Sequence, residues 1–415
     1  MVNRPVEISD QNFMAYLEQL TAAVGHADRH EPLRVYLEGL LLPGERKSVE
    51  PMAARIDPRH VRSRHQSMHH FVATSPWDPD LLIQVARDYA LAEFEHHGGV
   101  EAWVLDDTSY PKKGTHSVGV ARQYCGVMGK QDNCQVAVTI SVANELMSVP
   151  ASYRLYLPES WAGDRARRKV AGVPEEIAFQ TKTEMALDQI DQLLAGAVPK
   201  APVVMDAGYG RATDLRDEIS KRGLQYVAAV REDMTILLPG PKGTPTRVAV
   251  GDLAKALPTD QWRSVWWRHG TKGDMRSRFA LVRVRVAHPE SGRRRERPLE
   301  WLLIDWPVSA SEPVHYWLSN LPAGTRISKL VNLAQMRWRV ERDYQELKGE
   351  LGLDHYEGRG WVGFHHHGAL CIAAYAFLIA ERARLSPPHP LSFLRPAPIP
   401  EGFRPRGSPR QARTP

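Results

Sequence analysis

The chain has 415 residues, 43% of them hydrophobic and 25% charged, which excludes a disordered polypeptide and predicts two or three folding units. Its net charge of +6 suits a polyanionic partner, and the three cysteines (Cys125, Cys134 and Cys371) are too few and too scattered for a disulfide framework or a zinc site. No signal-peptide pattern opens the chain, and the longest apolar run, Leu370–Ala380, is well short of the roughly 20 residues a membrane span needs, so a cytoplasmic protein without a membrane part is expected.

Residues 1–98 read as a helical region. Phe13–Leu20 and Leu81–Leu91 place apolar side chains at three- and four-residue steps, with Pro43-Gly44 and Pro58 as punctuation. The character changes near Glu101. Trp103–Asp107 is a short apolar run stopped by two acids, and Thr108–Gly114 reads as the loop after it. Cys134–Val142 is a second strand, rich in β-branched residues. Glu175 to about Leu194 is amphipathic and helical. Pro202–Asp206 is a third strand, with Thr213 or Asp214 placed to cap the helix beyond it, and Gln225–Val230 is a fourth. Strands alternating with helices over 99–231 imply an α/β sheet.

From 232 to 322 the pattern turns β-rich. Arg247–Val250, Ser264–Arg268, Phe279–Val286 and Leu299–Ile304 follow one another without a helical period, and Arg293, Arg294, Arg295 and Arg297 sit where a hairpin tip is expected. Helical periodicity returns over 323–385. The final stretch, 386–415, holds nine prolines, five arginines and one acid, and predicts no fixed structure.

Three positions put acids at the edge of elements expected to be buried. Asp106 and Asp107 close the first strand, and an acid there is costly unless it is hydrogen-bonded, paired or bound to a cation. Asp206 ends the third strand, and ligands of open α/β sheets gather outside the carboxyl ends of strands. Ordinary turn aspartates would look the same at both places. The third position is Glu341, on a helix whose pitch brings Arg337, Glu341, Tyr344 and Lys348 to one face beside an apolar stripe of Met336, Val340, Leu347 and Leu351. A ladder of surface ion pairs is the competing reading. Together, two strand aspartates and a helix glutamate form the oxygen donor set that two-metal phosphoryl transfer requires.

The spacing of Arg337, Glu341 and Lys348 resembles the Arg, Glu and Lys of the signature of IS4-type transposases, although Ala334 stands where that signature has a tyrosine. A longer likeness, to IS701-like transposases, covers nearly the whole chain. Tyr36–Met52, His65–Val72 and Ser75–Asp78 look like that family's N-terminal region. Asp106–Gly114 with Ser117–Gly126 resembles its first catalytic block, Asp206–Gly210 its second, and Gly349–Arg359 with Trp361–His367 the stretch after its glutamate.

The resemblance implies a DDE transposase with Asp106, Asp206 and Glu341 as catalytic metal ligands, Asp107 being the alternative to Asp106. It also implies Mg²⁺ or Mn²⁺, two ions per site, and an RNase H-like core interrupted by a β-rich insertion. Implied partners are double-stranded DNA, as terminal inverted repeats and as target, and a homodimer formed on that DNA. Arg337, Lys348, Tyr344, Lys112, Lys113 and Arg122 are the candidate phosphate contacts, and His116 is a further candidate lining residue. A nuclease or resolvase without strand transfer, and a domesticated DNA-binding protein that does not cut, are the alternatives. Trp266 and Trp267 are weighed for base stacking, and His365, His366 and His367 for metal binding; in both cases packing is the preferred reading.

Overall fold

The structure, a computed structural model, describes residues 4–238, 245–270, 273–287 and 297–385. In chain order its strands are β1 (Ala102–Pro111), β2 (Ala121–Cys125), β3 (Lys130–Ala143), β4 (Ser148–Leu155), β5 (Val203–Met205), β6 (Tyr226–Val230), β7 (Thr235–Leu238), β8 (Thr246–Ala249), β9 (Arg263–Gly270), β10 (Gly273–Val286), β11 (Glu300–Trp306) and β12 (His315–Ser319). Among the described residues they form one mixed sheet in the order β2-β3-β1-β5-β6-β12-β11-β10-β7-β8, with β4 added to β3 and β9 to β10. Strands β1, β5 and β6 run parallel, and β12 joins β6 antiparallel. Val104, Leu105, Val203, Val204 and Val227 are almost wholly buried at the centre, where parallel strands covered on both faces are expected to be apolar throughout.

Helices Arg4–Val24, His30–Leu41, Val49–Ile56, Val61–Ala73 and Pro79–His96 occupy the N-terminal region, the last opened by Pro79 and capped by the Asp78 carboxylate. They pack around the helix Trp361–Leu385. Phe13 meets Phe377 edge-on at 5.2 Å between ring centroids, and the Tyr16 hydroxyl donates to the Ala373 carbonyl at 2.8 Å. By length and composition this C-terminal helix could cross a membrane, yet 89% of its apolar window is buried inside the protein. Each large aliphatic or aromatic side chain so buried contributes roughly 2 kcal/mol.

Several elements depart from the sequence reading. The acids do not end β1, which continues to Pro111; what ends at Leu105 is its parallel pairing with β5. The helix expected from Glu175 begins at Lys182, because Thr181 and Glu184 form a reciprocal capping box there. Neither Thr213 nor Asp214 caps the helix Thr213–Lys221, whose flanking residue is Ala212. The β-rich stretch carries a two-turn helix, Val250–Ala256, and its strands extend the central sheet. The last helical region divides into Ile327–Gln335, Arg337–Gly349 and Trp361–Leu385. The tail 386–415, together with Arg293, Arg294 and Arg295, lies outside the described residues.

Candidate active site at the ends of the parallel strands

Register brings the first two acids together. Leu105 of β1 lies opposite Met205 of β5, neighbouring strands whose backbones run roughly 4.8 Å apart, so Asp106 and Asp206 follow side by side where that pairing ends. Asp106 is held on all sides. Its backbone carbonyl accepts from the Thr139 hydroxyl at 3.0 Å, its Oδ1 from the Asp107 N–H at 2.9 Å, and its Oδ2 from Arg337 Nη1 at 2.9 Å. Burial, reinforced by the Asp206 charge and opposed by the Arg337 guanidinium, pushes the Asp106 carboxyl up to about 7.

Asp206 keeps an extended backbone and caps the short helical turn Ala207–Gly210, its Oδ1 accepting from the Tyr209 N–H at 3.1 Å. The turn lies tight against β6. A Cβ at Gly210 would stand 2.0 Å from the Ala229 carbonyl oxygen, so no side chain fits there.

Glu341 rides on the helix Arg337–Gly349, seated by its buried stripe of Met336, Val340, Leu347 and Leu351. The second nitrogen of Arg337 bonds the Glu341 carboxylate, so one guanidinium bridges Asp106 and Glu341. The Glu341 side chain is 49% exposed, against 15% for Asp106. Asp343, which sequence reasoning missed, anchors this helix from beneath. Its carboxylate accepts from the Ser148 hydroxyl and, at 2.9 Å, from Tyr375, and burial pushes it up to about 7. No periodicity distinguishes it from an ordinary helix acid; only its position on the apolar stripe could have done so.

The remaining candidates divide. Tyr344 is buried beside Asp106 and Thr139. Lys348 donates to the Ser109 carbonyl of β1 at 2.9 Å and lies over the Tyr110 ring, and burial lowers its pKa. Lys112 reaches the Tyr356 carbonyl at 3.1 Å instead of pointing freely outward. Lys113, His116 and Arg122 are exposed. Arg297 is not a bare hairpin cation, since it forms a two-pronged ion pair with Asp217. Trp267 packs edge-on against Phe279.

Asp107 faces elsewhere. Its oxygens accept from the Lys182 ammonium at 2.5 Å and from the Tyr209 hydroxyl. Sequence reasoning missed both partners, which lie 75 and 102 residues away along the chain. The Gly-Tyr-Gly turn was the one visible hint of the second.

Among the described residues no three His, Cys, Asp or Glu side chains stand close enough together to hold a metal ion. The three-acid pocket expected from the sequence is therefore not assembled in this state. Two aspartates are adjacent, and Glu341 is joined to Asp106 through Arg337, whose charge lies between those two carboxylates. The donors are all oxygens, and one carboxyl is held well above its ordinary range beside another. That chemistry suits a hard divalent cation.

Residues 19–274 match the family model described as DDE superfamily endonuclease, and residues 172–377 match a transposase DDE domain. A relative in Microchaete diplosiphon, described as "Probable transposase for insertion sequence element IS701", is 30% identical over 171 residues, 40% of this chain and 41% of the relative. The matched stretch thus spans less than half the length of that relative. With the first family model covering well over half of the residues and carrying both aspartates, the chain belongs to the DDE endonuclease superfamily and is similar to IS701-type transposases.

Proposed function

We propose that this protein is a transposase that cleaves the ends of an insertion sequence and joins them to target DNA. The observation that carries the reading is the parallel register that sets Asp106 beside Asp206, with Glu341 tied to Asp106 through a single guanidinium. Asp106, Asp206 and Glu341 would hold two Mg²⁺ or Mn²⁺ ions in an RNase H-like core interrupted by the segment 232–322. When bound, such ions make a water or a 3′-hydroxyl a better nucleophile and offset the charge on the departing oxygen.

The chain's own residues do the rest. Arg337 exchanges its two carboxylates for a DNA phosphate, which frees Glu341 to turn toward the aspartates and gives the phosphate a planar, two-pronged partner. Lys348 fixes the β1 backbone beyond the acids, and Thr139 fixes the Asp106 carbonyl. The exposed cations Lys113 and Arg122 lie on the path of the flanking duplex. The helical region 1–98 binds the DNA ends or mediates dimerisation; two ends must be paired, so a homodimer on DNA is expected.

The test is incubation of protein, Mn²⁺, labelled terminal inverted repeats and a target plasmid. Joined products are expected from the wild type, while Asp206→Ala and Glu341→Ala abolish cleavage and retain end binding. Full activity in either variant would overturn the assignment. Cleavage without joining would identify a nuclease or resolvase, and end binding without any cutting a protein that has kept the fold alone.

A further inference from the structure

We infer that Asp107 and Tyr209 form a positioning pair that holds Asp206 in line with Asp106, so that the two neighbouring acids of β1 have separate tasks. The inference rests on the reading of Asp106 and Asp206 as cation ligands. Alternation along β1 sends the Asp106 and Asp107 side chains to opposite faces. Asp106 meets Arg337, whereas Asp107 receives the Tyr209 hydroxyl and the Lys182 ammonium.

Tyr209 is 5% exposed and follows Asp206 by three residues. Its two ends do different work: the hydroxyl donates to Asp107 Oδ1, and the backbone N–H donates to Asp206 Oδ1 at 3.1 Å. A continuous path therefore runs from β1, through one aromatic side chain, to the carboxylate at the end of β5. Burial together with the neighbouring Asp107 charge keeps the phenol protonated and hence a donor.

The turn needs this help. Ala207–Gly210 is only four residues long, and an isolated helical turn fixes several dihedrals for very few hydrogen bonds. Close contact between Gly210 and the Ala229 carbonyl braces it from one side. On the other side the Tyr209–Asp107 bond is the brace. Without it, Asp206 would retreat from the like charge of Asp106 and a cation would meet a splayed pair.

Mn²⁺ binding to the full chain, followed by electron paramagnetic resonance without DNA, separates the possibilities. Tyr209→Phe is expected to weaken Mn²⁺ about tenfold or more, the usual loss when the support of a metal ligand is removed. Asp107→Ala combined with Lys182→Gln, which leaves the local charge unchanged and removes the acceptor of the Tyr209 hydroxyl, is expected to match that loss. Adding Tyr209→Phe to it should cost nothing further, because the changes at Asp107 and Tyr209 remove the same bond. A lowered melting temperature with wild-type Mn²⁺ affinity in either variant would overturn the pairing in favour of a purely structural contact. Mn²⁺ binding that is absent from the wild type and from Arg337→Gln alike, or indifferent to Asp206→Asn, would instead overturn the underlying site. The charge-neutral double variant keeps the test decisive if Tyr209→Phe does not fold.

Discussion

Two trios of potential metal ligands make opposite use of the chain. His365, His366 and His367 are adjacent in sequence, yet helical geometry fans them into three directions and the surroundings satisfy each one separately. His365 holds the Trp361 carbonyl and accepts from the Leu155 N–H; His366 lies between the Val72 and Trp77 carbonyls; His367 meets the Tyr36 hydroxyl and the Gly352 carbonyl. Asp106, Asp206 and Glu341 span more than half the chain, but parallel register and one arginine connect them. Nearness in sequence does not make a site. Convergence comes from topology, and it leaves charge unbalanced where packing would have neutralised it.

The contrast can be broken first by acid. Burial holds all three histidines down to about 4, below their ordinary 6.5. Between pH 6.5 and 4 the unfolded chain takes up protons that the folded one refuses, so stability is full above that window and is lost as the pH falls through it. Summed over the three groups the loss is on the order of 10 kcal/mol. Asp106 and Asp343, held up to about 7, take up protons on folding over the same window and oppose it, so urea unfolding at stepped pH is read on the Asp106→Asn/Asp343→Asn double variant. A flat profile in that variant would mean the histidines are not the packed, neutral groups described above.

A smaller effect is expected from His366→Ala. It removes a ring stacked on Trp77 at 3.6 Å between centroids, together with two carbonyl contacts, and should cost about 3 kcal/mol of stability. Mn²⁺ affinity should not change; a shift there would merge the two trios into one functional unit. The smallest effect sharpens the acidic side. Arg337→Gln removes the cation lodged between Asp106 and Glu341, and Mn²⁺ should bind the DNA-free protein roughly three- to tenfold more tightly. Weaker binding would show that the guanidinium organises the acids and does not compete for them.

Much of this was legible in the residues themselves. The strands read at Cys134–Val142 and Pro202–Asp206, and the apolar stripe beneath Glu341, correspond to the buried parts of β3 and β5 and to a seated helix because local pattern and tertiary packing agree there. What stayed hidden depends on partners distant in the chain. Nothing local to Asp107 announces Lys182 or Tyr209, and nothing local to Arg337 says that it will bridge two acids. The extension of β1 past Asp107 was hidden for a related reason. Thr108, Ser109 and Tyr110 read as loop residues, yet they are buried by pairing with Ala137, Val136 and Gln135 of β3.

The seam between β6 and β12 bears on how the molecule can be trimmed. Tyr316–Ser319 hydrogen-bonds along Val227–Val230, one strand away from the strand that presents Asp206. Excising the stretch 232–322 would strip β6 of that neighbour and leave a row of unpaired amides and carbonyls, the kind of naked edge that recruits other chains. A shortened form of this protein must therefore keep β12, or supply a substitute strand, to stay dispersed in solution.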